Sequence, residues 1–330
     1  MSARFCGTGS CVPAHVMDND DVAELVETSD SWIRERTGIA RRHIAVKETT
    51  VSMASEAAKR ALEDAGVSPK DLDMILMSTI SSDVIIPCGA CEVQRALGAD
   101  RAVCFDLNGA CTGFVLAYNT AMAYVESGIY QTILIVGSES LSRLTNWKDR
   151  GTCILFGDGA GAAVIKRAEG HTYLPVAYSD GNRGDALLCH SKHEENGLPI
   201  QNTEENGETH LTREDYLMKM DGQGVFRFAI KQVPEVIREV LKKNEVKSEE
   251  IDWYILHQAN QRILEAVAKR MGEPVSKFPM NMEEYGNTSS ASIPILLDEM
   301  KRDGRLKRGQ KIVLAGFGAG LTWGATIVEW

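Results

Sequence analysis

The chain of 330 residues repeats itself at one fixed offset, and nothing else in it limits the possible folds as strongly. Residues 58–76, AKRALEDAGVSPKDLDMIL, share a plan with residues 237–255, IREVLKKNEVKSEEIDWYI: a helix, a polar turn and an apolar strand, 179 residues apart. The apolar run Ile133–Gly137 meets its copy, Ile312–Gly316, at the same separation, as Asn108 meets Asn287 and Cys111 meets Ser290. The register then breaks. Gly161–Ile165 resembles Gly324–Val328 at a separation of 163, which leaves about 16 extra residues near 141–157 in the first copy. Helices alternating with apolar strands in both copies predict an α/β protein of two packed sheets, with helices around and between them. The halves divide at 1–170 and 171–330. Residues 180–212, polar and rich in Gly, Asn and Glu, read as a long excursion of the kind that forms lids or interface flaps. Residues 141–157, with Trp147 and Arg150, read as a second one.

Composition excludes several function classes. A net charge of −10 and the lack of any basic block argue against nucleic-acid binding. Met1–Gly7 has no apolar signal core, and no apolar run approaches the ~20 residues of a membrane span. Eight cysteines without a targeting signal read as reduced thiols, so a cytoplasmic protein is expected. Cys88-x-x-Cys91 lacks a second pair at zinc spacing, and His190 and His193 fall in the polar excursion, so neither predicts a metal site.

Chemistry is expected where strands end, because ligand sites in such sheets lie beyond their carboxyl ends. Arg101–Leu107 reads as a buried strand. Asn108–Ala110 turns the chain, and 112–128 has a helical pattern that Gly128 stops. Cys111 would therefore sit in a helix's first turn, beside its unpaired N–H groups and positive dipole end. That effect, up to about 2 kcal/mol, would bring a thiol from near 8.5 to a pKa of about 7. His257 closes the apolar strand Trp253–Leu256, and Asn287 occupies the copy of Asn108, where it could also be a plain helix cap. The duplication brings these ends face to face. Gly316–Gly324 follows a strand with glycines that let backbone N–H groups approach a ligand. A further strand follows it rather than a helix, so it is not a dinucleotide-binding loop.

With these residues in place, the chain resembles the thiolase-fold condensing enzymes over nearly its whole length, specifically the 3-oxoacyl-[acyl-carrier-protein] synthase III family. The motifs that carry the resemblance are Asn108–Phe114, His257–Arg262, Gly286–Ser292 and Gly318–Gly324, with Cys, His and Asn in the family's order. The resemblance implies a thiolase-like fold of duplicated βαβαβαββ halves in five αβαβα layers. It implies a decarboxylative Claisen condensation of an acyl-CoA primer, acetyl-CoA or a similar short chain, with malonyl-acyl carrier protein, through an acyl-Cys111 intermediate. A relative using two histidines would have His in place of Asn287; Asn favours priming by acyl-CoA. The backbone N–H groups of Cys111 and Ala319 would hold the oxyanion, although many relatives have Gly at the latter position. His257 and Asn287 would stabilise the enolate. Trp32 would stack on the adenine opposite Arg150, with Thr28 and Arg36 near the nucleotide and Gly222, Phe226 and Asn260 along the pantetheine tunnel. Arg262, Lys269 and Arg270 would share a helix face and, with Arg227, steer an acidic carrier protein. Ile86, where a larger aromatic is common, would reach the acyl pocket of a second copy in a homodimer, with the 101–107 strand as the shared sheet edge. No cofactor is implied beyond the CoA substrate. The alternatives are a synthase III-like enzyme of secondary metabolism that condenses or transfers other acyl groups, and a non-catalytic acyl- or CoA-binding homologue. A thiolase or hydroxymethylglutaryl-type synthase would need a second catalytic cysteine or a glutamate base, and Gly318–Gly320 offers neither.

Overall fold

A computed structural model of the chain describes residues 2–191 and 213–330. His193 and most of the 180–212 excursion lie outside the described residues. The first sheet is built from residues 2–168 alone, in the order Ser2–Cys11, Gly159–Ala168, Thr132–Glu139, Met74–Ser78 and Val103–Leu107. The second runs Trp253–Leu256, Lys311–Gly318, Thr322–Glu329 and Val176–Ser179. The strands Thr132–Glu139 and Lys311–Gly318 coincide at both ends under the 179-residue offset, as do the 3-10 turns Pro69–Asp71 and Ser248–Glu250.

Five layers result, as the resemblance implies. The helices Thr50–Ala65 and Gly89–Leu97 cover the outer face of the first sheet, and Gly222–Lys243 and Gln261–Met271 cover that of the second. Between the sheets lie Gly113–Ser127 and Ser292–Arg302, again copies that start 179 residues apart. Position decides composition here. Thr50–Ala65 buries one stripe, Met53, Ala54, Ala57, Ala58, Ala61 and Leu62, at helical spacing. Gly113–Ser127, covered on both sides, is apolar nearly all round, with Phe114, Val115, Tyr118 and Met122 inside.

The copies differ in two ways. The counterpart of Val103–Leu107 is missing from the second sheet: residues 282–285 form a short helix instead, so that sheet has four strands among the described residues. Val103–Leu107 is itself not buried. Among the described residues it pairs only with Met74–Ser78, and Val103 remains 46% exposed, because an edge strand has sheet on one side only. The extra residues at 141–157 form a 3-10 turn and the helix Arg150–Cys153, and Trp147 packs against the core, its indole N–H donating to the Ser142 carbonyl at 3.0 Å. No helix among the described residues is long and apolar enough to cross a membrane.

Candidate active site

Two matching 3-10 turns, Ala110–Thr112 and Ser289–Ala291, meet in the middle of the molecule. Each begins on a non-glycine residue with positive φ, Ala110 at 43° and Ser289 at 48°, and each feeds a central helix. Cys111 is the middle residue of the first turn and is 7% exposed. Its thiol is pushed up to about 12, chiefly by burial and further by the nearby Glu139 carboxylate. This corrects the value near 7 expected from the helix end. The α-helix starts only at Gly113, so the thiol precedes the first turn, and desolvation outweighs the pull of the dipole. Ser289 partly opposes the rise: its hydroxyl faces the thiol.

His257 follows Trp253–Leu256, and its N–H donates to the Ala315 carbonyl at 2.9 Å, which extends the strand pairing by one residue. Burial pushes the imidazole down to about 3, so the resting ring is neutral. Nδ1 lies 2.8 Å from the Ser292 hydroxyl, which also reaches the Ser289 carbonyl at 2.8 Å. The Ser292 hydroxyl can accept from Nδ1–H or donate to a bare Nδ1. Nε2 can therefore present a lone pair or a proton without the ring becoming charged. Phe317 meets the ring edge-on, with centroids 5.3 Å apart.

Asn287 is anchored between residues of the 141–157 excursion. Its N–H donates to the Leu155 carbonyl at 2.8 Å, and its carbonyl accepts from Gly157 N–H at 3.1 Å. It does not cap an α-helix. Its Oδ1 accepts from Ser289 N–H at 2.9 Å, and because an N–H requires oxygen there, the carboxamide NH2 is the end free to donate into the cavity.

Cys111, His257 and Asn287 line one cavity of about 1110 Å³. Its wall also includes Trp32, Arg36, Arg150, Gly222, Phe226, Arg227, Asn260 and Arg262. The Arg36 and Arg150 guanidinium carbons lie 4.2 and 4.8 Å from the Trp32 ring centre, and Arg262 lies 6.0 Å from that of Phe226. Asn260 is held by Nδ2 donating to the Arg36 carbonyl at 2.9 Å while its Oδ1 caps the helix Gln261–Met271. A second cavity, of about 920 Å³, meets the first at Cys111 and is lined by Ala319, Leu141, Leu144, Phe156, Leu188 and Met218 among others. His190 is on that wall too.

Four expected residues lie elsewhere. Thr28 is not on either cavity's wall. Lys269 and Arg270 are exposed in the last turn of Gln261–Met271, roughly 10 Å along the helix from Arg262. Ile86 is 88% exposed and lies on neither wall. The sequence reading missed Ser289, Ser292, Phe317 and Glu139. Two of these had a signal: Ser289 and Ser292 occupy the copies of Ala110 and Gly113, next to the copied nucleophile position. Cys88 and Cys91 have sulfur atoms 3.5 Å apart, and among the described residues no group of three or more His, Cys, Asp or Glu could hold a metal ion.

Family models described as 3-oxoacyl-[acyl-carrier-protein (ACP)] synthase III match residues 105–181, and those of its C-terminal part match 241–330. The chain is 43% identical over 330 residues to the beta-ketoacyl-[acyl-carrier-protein] synthase III of Clostridium acetobutylicum, covering 100% of this chain and 99% of that protein. It is similar to the solved 3-oxoacyl-[acyl-carrier-protein] synthase III of Aquifex aeolicus, with a TM-score of 0.91 at 39% identity over 99% of this chain and 100% of that one. The priming beta-ketosynthase of the R1128 polyketide pathway gives 0.90 at 34% identity, over 99% of this chain and 96% of that one. The chain therefore belongs to the 3-oxoacyl-[acyl-carrier-protein] synthase III family.

Proposed function

We propose that this enzyme joins an acyl-CoA primer to malonyl-acyl carrier protein, releasing CO2 and forming the first 3-oxoacyl-carrier protein of fatty acid synthesis. One observation beside family membership carries the reading: a thiol, a neutral imidazole and a carboxamide NH2 share a single cavity whose wall also holds Trp32 beside two arginines. Trp32 and Arg150 would take the adenine, Arg36 and Thr28 the nucleotide phosphates and ribose, and Gly222, Phe226 and Asn260 the pantetheine. The Cys111 thiol attacks the thioester carbon as His257 Nε2 takes its proton. The tetrahedral oxyanion rests on the N–H groups of Cys111 and Ala319, and CoA leaves with the proton from His257. The acyl chain then fills the second cavity.

In the second half-reaction Ser292 donates to Nδ1, and Nε2–H and the Asn287 NH2 both bond the malonyl thioester oxygen. Loss of CO2 leaves an enolate there. Its carbon attacks the acyl carbonyl, the new C–C bond displaces the Cys111 thiolate, and the thiolate takes one proton from water. Arg227 and Arg262 at the rim, with Lys269 and Arg270 beyond, would guide the acidic carrier despite a net charge of −10. Two copies would join along the edge strand Val103–Leu107, in the cytoplasm. The test is mass spectrometry after incubation with acetyl-CoA. Wild type should gain one acetyl mass and Cys111→Ala none, and addition of malonyl-carrier protein should release the label as 3-oxoacyl product. A Cys111→Ala protein that still acquires the acyl mass defeats the reading. Product formed with another acceptor but not with malonyl-carrier protein would favour the secondary-metabolism alternative.

A further inference from the structure

One buried ionisable group has no part in this chemistry. Glu139 ends the strand Thr132–Glu139 and is wholly buried. Its burial is countered by hydrogen-bond donors rather than cations. Oε2 accepts from Thr79 Oγ1 at 3.3 Å, Ile80 N–H at 3.1 Å and Ser81 Oγ at 2.6 Å, and Oε1 lies 2.8 Å from Ser290 Oγ. The same Ser290 hydroxyl is 3.0 Å from the Ser78 carbonyl. One hydroxyl carries one proton. With Glu139 ionised, Ser290 donates to the carboxylate. With Glu139 neutral, the carboxyl donates to Ser290, which turns its own proton to Ser78.

The duplication shows what this arrangement replaces. Ser290 is the copy of Cys111, and Glu139 is the copy of Gly318. Gly318 backs Cys111 so closely that a Cβ there would lie 2.7 Å from the Cys111 Cβ, and Glu139 reaches Ser290 with its carboxyl, Oε1 lying 2.8 Å from Oγ. The non-reacting copy of the nucleophile has become a strut between the halves. Its neighbour Ser289 faces the Cys111 thiol with its hydroxyl and donates its N–H to the Asn287 side chain.

We propose that Glu139 is a positioning residue for Cys111 and Asn287, acting through Ser290, and that its protonation state sets how readily Cys111 is acylated. This rests on the acyl-Cys111 reading above. Burial pushes the carboxyl up to about 7, so both states are populated near neutrality. The titratable group facing it is Cys111, and the charged carboxylate opposes a thiolate there. From residues 79–81 and from Ser290 it meets hydroxyls and one backbone N–H.

Glu139→Gln is the test, because the amide imitates the neutral carboxyl: it accepts at one end and donates to Ser290 at the other. Acylation by acetyl-CoA, followed by quenched mass spectrometry, should give a variant-to-wild-type rate ratio about three- to tenfold higher at about pH 8.5 than at about pH 6. A ratio constant across pH overturns the role. Should Glu139→Gln show no thermal unfolding transition, Ser290→Ala serves. It removes a donor to the carboxylate, so the inflection of the wild-type acylation profile should move to higher pH, and an unmoved inflection overturns the proposal. Wild type that takes up no acyl mass would count against the acyl-cysteine itself, whereas an acylated wild type with a flat ratio counts against Glu139 alone.

Discussion

Cys111 and His257 are displaced in opposite directions by one cause. Burial disfavours whichever form is charged, so the thiol is pushed up to about 12 and the imidazole down to about 3. The resting pair is neutral thiol and neutral ring, not an ion pair. For His257 the folded pKa lies below the unfolded value of 6.5, so the contribution to stability is present above pH 6.5 and is lost as pH falls toward about 3. In urea unfolding, wild type should lose on the order of a few kcal/mol across that window from this group. His257→Asn should lack that part of the loss. Asn287 makes a separate claim on chemistry. In the proposed reaction its NH2 enters only when an enolate forms, so Asn287→Ala should acylate at near the wild-type rate and lose about 10²–10³ in decarboxylation of malonyl-carrier protein. Single-turnover acylation and CO2 release, measured apart, check this. Cys111 and His257 were legible because each follows a strand and carries a reactive side chain, and Asn287 because it is the copy of Asn108 under the 179-residue offset. Ser292 and Glu139 were not, because their roles follow from which oxygen faces which proton. The thiol's pKa was misread because a sequence displays the helix that follows a cysteine but not the depth at which it is buried.

At the scale of elements, the paired 3-10 turns fix the site. They were readable as copies 179 residues apart, down to the helices that follow them. The four-stranded second sheet was not readable, since the copied sequence around residues 282–286 retains no strand pattern of its own. The strand Lys311–Gly318 runs against the Cys111 turn with no room for side chains: a Cβ on Gly316 would lie 2.8 Å from Thr112 Cα, and one on Gly318 3.1 Å from the Cys111 sulfur. Neither wall can yield, for one is a paired strand and the other begins the central helix. Gly318→Ala should therefore fold but displace the thiol, and acylation should fall at least about a hundredfold, the cost of misplacing a reacting atom by an ångström. Circular dichroism and the acyl mass together check this. A variant acylated at the wild-type rate would mean that the turn tolerates movement.

At the scale of the whole molecule, the described residues leave an apolar edge uncovered. Val103 on the edge strand is 46% exposed, and Ile85 and Ile86 on the loop before the helix Gly89–Leu97 are 86% and 88% exposed. An open strand edge and bare isoleucines are both surfaces that association covers, and in the proposed dimer a second copy would be the partner. Ile86 touches neither cavity of its own chain. In the proposed dimer any influence it has on the acyl chain would therefore cross to the other subunit, which makes the influence separable. In a mixed dimer, one copy carries Cys111→Ala with Ile86→Phe and the other is wild type, so only the wild-type subunit can be acylated. If the loop enters the partner's acyl cavity, phenylalanine on the inert copy should narrow the active copy's preference toward acetyl-CoA by about tenfold against longer primers, the scale of a methylene or two in an apolar pocket. The reverse pairing, with Ile86→Phe on the active copy and Ile86 retained on the Cys111→Ala copy, should leave chain preference as in wild type. Competition between acetyl- and longer acyl-CoA, read as acyl masses on Cys111, distinguishes the two, and equal selectivity in both mixed dimers would show that the loop does not cross.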